Sequence, residues 1–235
     1  MKFIDLDSPV VISIIGASGG IGFALLEELA AKTDAVFLPT YNTSIPVDKK
    51  YEWIHYNSLD PISINNYFKQ LESHKPAAII DCSGAFFASS LARTTPPEIA
   101  HVISTNLTGP LIAAKKALSV LAPNGKIIFM SSILAEENVY GSSVYSASKV
   151  GLEKGIAVLG QEFLKRDLAI CGIRLNYMDY GMTHKINTEL KADILNSMPN
   201  QEFVKISSIV KVIKQILQGD SMDISGTIFA LSEES

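Results

Sequence analysis

Short, unbroken apolar runs rich in Val, Ile and Phe recur along the chain, separated by longer stretches in which apolar residues return every three or four positions. The runs Val10–Ile15, Ala35–Leu38, Ala77–Cys82, Lys126–Ser131, Ala169–Asn176 and Thr227–Leu231 are predicted as strands. Continuous hydrophobicity with little polar alternation suits parallel strands covered on both faces. The stretches between them predict helices over Ile21–Ala31, Pro61–Ser73, Pro97–Leu121, Tyr145–Arg166 and Gln201–Gln218. Before the third helix, Thr95-Pro96-Pro97-Glu98 supplies a threonine cap, first-turn prolines and an early acid, and Ala122-Pro123-Asn124-Gly125 supplies a stop. Strands alternating with helices predict an α/β fold: a single doubly wound parallel sheet in three α/β/α layers, with right-handed crossovers. With no linker-like stretch, residues 1–235 are read as one domain.

Composition narrows the function. Hydrophobic residues make up 47% of the 235 and charged residues 19%, enough to build a sizeable core. Twenty basic residues against 24 acidic ones give a net charge of −4, which argues against a nucleic-acid partner because no basic excess exists to neutralise phosphates. The two cysteines, Cys82 and Cys171, and the four histidines are scattered, so neither a disulfide framework nor a metal site is expected. Free thiols, the lack of a basic leader before Val10–Ala17 and the absence of a run near ~20 apolar residues lead to the expectation of a cytoplasmic protein without a membrane partner.

Two motifs carry chemistry. The first strand runs into Gly16-Ala17-Ser18-Gly19-Gly20-Ile21-Gly22 and then a helix, the strand–turn–helix context of a Rossmann-like dinucleotide site. Gly16 suits a tight turn, Gly20 a close approach of pyrophosphate to backbone, and Gly22 close helix packing, while helix-start N–H groups offer donors to an anion. The second motif is Tyr145-Ser146-Ala147-Ser148-Lys149, preceded by Ser131-Ser132. Tyr145 and Lys149 share a helix face at i and i+4, and an ammonium beside a phenol stabilises its phenolate. A surface Tyr–Lys pair is the alternative, and the glycine turn together with the upstream serines decides against it.

With these motifs in this order, the chain resembles the short-chain dehydrogenase/reductase family in its compact form. The resemblance covers the glycine turn, Asp81-Cys82-Ser83-Gly84, Asn106-Leu107-Thr108-Gly109, the serine strand and the Tyr–Lys motif. The family's active serine stands thirteen positions before its tyrosine, which selects Ser132. The resemblance implies a catalytic tetrad of Asn106, Ser132, Tyr145 and Lys149 acting on a small-molecule carbonyl or alcohol with NAD(P)(H). Ser132 would hold the carbonyl oxygen, Tyr145 would exchange its proton, Lys149 would lower the tyrosine pKa and bind ribose, and Asn106 would hold a water leading to solvent. It also implies a homodimer or homotetramer; Ala113-Ala114 and Gly155-Ile156-Ala157 suit helix contacts between subunits or packing on the sheet equally well. A catalytically silent NADP(H)-binding regulator or scaffold of the same fold is the competing class.

Cofactor contacts are expected from Gly16, Ser18, Gly19, Gly20, Ile21 and Gly22; from Tyr41, Asn42 and Thr43; from Asn57, Ser58 and Leu59; from Cys82, Ser83 and Gly84; from Tyr145 and Lys149; and from Tyr180, Gly181 and Thr183. No acid follows the second strand to repel a 2′-phosphate, so NADP(H) is expected over NAD(H). Departures from the family pattern are Ile15 for its threonine, Asp81-Cys82-Ser83-Gly84 for its N-N-A-G, and Tyr180-Gly181 for its P-G. Cys82 is read as a packed residue rather than a reactive thiol. The substrate pocket is expected to be apolar, with Phe86, Phe87, Leu134, Val139, Tyr140 and Met182, although the two phenylalanines suit helix packing equally well. Lys185, Glu189 and Lys191 are read as solvated helix charges.

Overall fold

The computed structural model describes residue 4 and residues 9–46, 50–181, 188–198 and 201–231. Strands β1 (Val11–Ile15), β2 (Val36–Tyr41), β3 (Ile54–His55), β4 (Ala78–Asp81), β5 (Lys126–Ser132), β6 (Ala169–Leu175) and β7 (Ile228–Ala230) form one sheet in the order β3-β2-β1-β4-β5-β6-β7. Every pairing is parallel. The helices are α1 (Gly20–Ala30), α2 (Pro61–His74), α3 (Pro96–Ile103), α4 (Gly109–Val120), α5 (Ser143–Leu164), α6 (Thr188–Ser197), α7 (Ile206–Gln218) and α8 (Ser221–Ile224). Strand order reverses between β1 and β4, so a crevice opens beyond their carboxyl ends, where doubly wound sheets bind ligands.

Consecutive strand residues point to opposite faces, and here both faces are apolar. Ile12, Ile14, Ile80, Ile128 and Cys171 meet Leu25, Leu26 and Leu29 of α1 and Ile209, Ile213 and Ile216 of α7. Ile15, Ile79, Ile127, Phe129 and Ile170 meet Tyr67 and Leu71 of α2, Ala113 and Ala117 of α4, and Leu152, Ile156 and Phe163 of α5. Each large side chain buried in this way stabilises the fold by about 1.5–3 kcal/mol. This is the physical reason that the strands read as unbroken apolar runs.

Three differences from the expected elements have local causes. Strand β3 is only two residues long, too short to leave a hydrophobic run. The helix expected over Pro97–Leu121 is divided into α3, a π-helical turn at Ser104–Thr108, and α4. Pro110 has no N–H to give the carbonyl of Asn106, its α-helical partner, and the register widens so that Gly109 N–H donates to Ser104 O. Helix α7 starts at Ile206, after an extended, uncapped Lys205, rather than at Gln201. The threonine cap expected at the start of α3 is present, and Glu98 completes a capping box with both reciprocal bonds made. Among the described residues, no helix is long and apolar enough to cross a membrane.

Helix α5 approaches the turn before β7 closely enough that a Cβ on Gly160 would lie 2.6 Å from Gly226 Cα. Gly160→Ala is therefore expected to destabilise the protein by about 1–3 kcal/mol, because backbone rather than a flexible side chain must move. Urea unfolding followed by circular dichroism measures this, and an unchanged midpoint would contradict such tight packing.

Candidate active site

Three loops meet at the crevice. The glycine turn leaves β1 with Gly16 at φ +73°, and its amide donates to Thr40 Oγ1 at 3.0 Å. A Cβ on Gly16 would lie 2.9 Å from Ser83 N, and one on Gly20 would lie 2.6 Å from Gly181 Cα. Glycine at 16, 20 and 181 thus lets the β1, β4 and β6 loops converge. The N-cap of α1 is Gly19, which makes no side-chain cap bond, so first-turn amides are free of any capping side chain and suit an anion. The expected Gly16, Ser18, Gly19, Gly20, Ile21 and Gly22 all lie in this turn and the start of α1, and Ser18 N–H is held by Thr40 O at 3.1 Å. Sequence reading missed Thr40, which fixes the turn through both its hydroxyl and its carbonyl.

The remaining cofactor residues line the same edge. Tyr41 ends β2, with Asn42 and Thr43 exposed after it. Asn57 uses its Oδ1 to accept Leu59 N–H at 2.9 Å, so its carbonyl is partly spent on its own turn. Ser58 packs against the start of α4, where a Cβ on Gly109 would meet its Cβ at 2.8 Å. Cys82, Ser83 and Gly84 follow β4, and the asparagines absent there are replaced by Asp81, whose Oδ1 accepts Ser83 N–H at 2.8 Å. Burial pushes the Cys82 thiol far above its ordinary value, in keeping with an inert packed residue. Tyr180 is exposed and Gly181 takes φ +62°. Thr183, Met182 and Lys185 lie outside the described residues.

Ser132 ends β5 beside Tyr145 on the first turn of α5, and its hydroxyl accepts Leu134 N–H at 3.2 Å. Four residues on, Lys149 is buried, with Nζ donating to Met130 O at 2.8 Å and lying 5.7 Å from the centre of the Tyr145 ring. Asn106 is fully buried in the π turn. Its Oδ1 accepts Ala85 N–H at 2.8 Å, while its Nδ2 donates to Ala85 O at 2.8 Å and Ser148 Oγ at 3.1 Å. Asn106 therefore ties the loop after β4 to α5. The four tetrad residues are brought together around one end of β5.

Burial raises the Tyr145 pKa, and Ser132 draws it part of the way back. The tyrosine is thus held as the neutral acid. Burial pushes Lys149 down from its ordinary 10.5 to about 8, against the opposing pull of Asp81, Cys82 and Glu153.

The apolar wall differs from the expected one. Phe86 meets Tyr145 edge-on with ring centres 4.9 Å apart, and Leu134 and Val102 complete that small cluster. Phe87 turns to His101 instead. A cleft of about 500 Å³ is lined by the expected Val139 and Tyr140 together with Leu91, Glu137, Asn138 and the serines Ser90, Ser142, Ser143 and Ser146; Ser132, Tyr145 and Lys149 are not among its lining residues. A further cluster was not foreseen: Arg174 of β6 bonds Glu153 of α5 at 2.6 Å and also pairs with Glu136, while Ser131 Oγ donates to Glu153 at 2.7 Å. It clamps β5, β6, α5 and the loop after Ser132 together.

Comparison with known proteins agrees with this fold. A family model described as short chain dehydrogenase matches residues 10–191. The 3-oxoacyl-[acyl-carrier-protein] reductase MabA of Mycobacterium tuberculosis is 23% identical over 221 residues, covering 92% of this chain and 89% of its own. Carbonyl reductase family member 4 of Xenopus laevis is 27% identical over 197 residues, covering 80% and 82%. The crystal structure of a short chain dehydrogenase from Burkholderia cenocepacia in complex with NADP superposes with a TM-score of 0.84 at 22% identity, covering 97% of each chain.

Removing one member of the Arg174 cluster tests the clamp. Glu153→Ala leaves Arg174 only Glu136, and is expected to cost about 2–3 kcal/mol, below the ~3–5 kcal/mol of a fully severed buried pair. Urea denaturation reads the change, and a loss under about 0.5 kcal/mol would contradict the role of the cluster.

Proposed function

The chain belongs to the short-chain dehydrogenase family, and from that premise we propose that it reduces a small-molecule carbonyl, or oxidises the matching alcohol, with Tyr145 as acid–base and NADP(H) preferred over NAD(H). It is an oxidoreductase of that family. The observation that carries the finer reading is the convergence of Ser132, Tyr145 and Lys149 at the end of β5, beside a crevice whose glycines leave room for a dinucleotide. A Cβ at Gly16 or Gly20 would meet backbone, and uncapped amides begin α1, so the residues present fit such a ligand.

The dinucleotide, when bound, supplies or accepts the hydride. The chain supplies orientation and the proton. Ser132, beside the phenol, donates to the substrate oxygen and fixes it beside Tyr145. Tyr145, kept protonated by burial, gives that oxygen its proton in the reducing direction. Lys149 would offer its ammonium to the nicotinamide ribose hydroxyls. Asn106 pins Ala85 with its side chain and would hold a water that links Lys149 to solvent. The exposed, acid-free end of β2 at Asn42 and Thr43 supports the NADP(H) preference, since it has nothing to repel a 2′-phosphate.

The chain is also proposed to form a homodimer or homotetramer through α4 and α5. Ala113 and Ala114 are buried on the sheet, which removes them as contact residues. Leu111, Val150 and Val158 are 37%, 49% and 55% exposed on the outer faces of these helices.

Tyr145→Phe is expected to lower kcat at least ~1,000-fold while nucleotide affinity changes less than about threefold, since only proton transfer is removed. Retained turnover would refute the assignment. Light scattering coupled to size exclusion is expected to give a dimer or tetramer for the wild type and a smaller species for Val150→Glu. A wild-type monomer at micromolar concentration would count against the interface.

A further inference from the structure

Asp81 places a carboxylate at the end of β4, only 3% exposed, where the resembling family carries an uncharged asparagine. It follows Ile79 by two positions, so its side chain faces the layer formed by α2, α4 and α5. Asp81 is paired in register with Phe129 of β5, and the next residue, Met130, is the one whose carbonyl receives Lys149 Nζ at 2.8 Å. Both side chains are buried, with Asp81 and the carbonyl that holds Lys149 on neighbouring strands one residue apart in register. Each favours the other's charge: burial raises the Asp81 pKa and Lys149 draws it back, while burial lowers the Lys149 pKa and Asp81 draws it back.

Of the other groups around the pair, only Glu153 adds a negative charge that holds Lys149 up, and it does so less than Asp81. Asp81 is faced by the phenols of Tyr56 and Tyr67 and by Cys82, all pushed up by burial and therefore neutral. Lys149 is faced by Cys82, the Tyr145 ring and Glu153. Glu153 is already bound to Arg174 and Ser131. We propose that Asp81 is the counter-charge of Lys149: a buried positioning residue that keeps the ammonium charged and stationed at the Met130 carbonyl, in reach of Tyr145. The importance of this for turnover rests on the reading of Lys149 as the active lysine; the charge coupling itself does not.

Burial already draws Lys149 down to about 8 while Asp81 opposes the fall. Loss of the carboxylate removes that opposition, so the lysine titrates lower still and loses its charge within the neutral range. The test is 13C NMR of protein labelled at lysine Cε, with the Lys149 signal assigned by Lys149→Arg. In Asp81→Asn, which retains an oxygen for Ser83 N–H, the Lys149 midpoint is expected to fall by about one unit or more. An unmoved midpoint in folded protein would overturn the proposal.

Should Asp81→Asn fail to fold, the reciprocal measurement decides. Labelled at aspartate Cγ, the Lys149→Met protein is expected to show the Asp81 midpoint raised by a similar amount, and no rise overturns the coupling. Where wild type turns over a carbonyl, the alkaline limb of its kcat–pH profile should move to lower pH in Asp81→Asn, and an unmoved limb refutes the role in turnover. If wild type turns over none, the functional reading fails while the NMR result still decides the coupling.

Discussion

At the switch point of the sheet, the turn leaving β1 lies so close to the turn leaving β4 that a Cβ on Gly16 would meet Ser83 N at 2.9 Å, and one on Gly22 would meet Gly16 O at 2.3 Å. Backbone against backbone at these distances admits only glycine, and the contact draws the two loops together at the mouth of the crevice. Gly20 against Gly181 extends the same condition to the loop after β6. Thr40 anchors the turn to β2, and Asn106 ties the loop after β4 to α5 by gripping both polar atoms of Ala85. A surface that can take a dinucleotide is thus a consequence of how the sheet is wound and of where side chains are missing.

Around this frame, the polar groups of the site are buried and held by specific partners. Lys149 is stationed on the Met130 carbonyl, Ser132 stands beside the Tyr145 phenol, and Asp81 is bound by the Ser83 amide. Low-dielectric surroundings strengthen each of these interactions and penalise any member left alone. The Arg174–Glu153–Ser131 cluster works below the reacting groups and joins the two strands and the helix that carry them. Positioning and electrostatics are therefore supplied by the same elements, β5 and α5.

Most of the fold was legible because its strands are buried on both sides. Ile79 and Ile80, or Ile127 and Ile128, point to opposite layers and are both apolar, so each strand announces itself as a continuous run. The cap at Thr95 and the glycine turn were readable from local chemistry alone. Strand β3 was not, because two residues carry no period, and the π turn was concealed within a continuous helical pattern although Pro110 was a usable signal. The tetrad positions came from the resemblance to the family rather than from any local pattern. The electrostatic setting of Tyr145 could not be read, because it depends on burial, which spacing does not reveal. The same holds for Glu153, Arg174 and Thr40, whose partners come from distant parts of the chain.

The central claim is that these loops form a working dinucleotide site coupled to a proton donor. Titrating the wild-type protein with NADPH and NADH by fluorescence, then following oxidation of the bound nucleotide against a carbonyl panel, tests it most directly. The account predicts saturable binding, tighter for NADPH, with nucleotide oxidation by at least one carbonyl. Well-folded protein that binds neither nucleotide would contradict it.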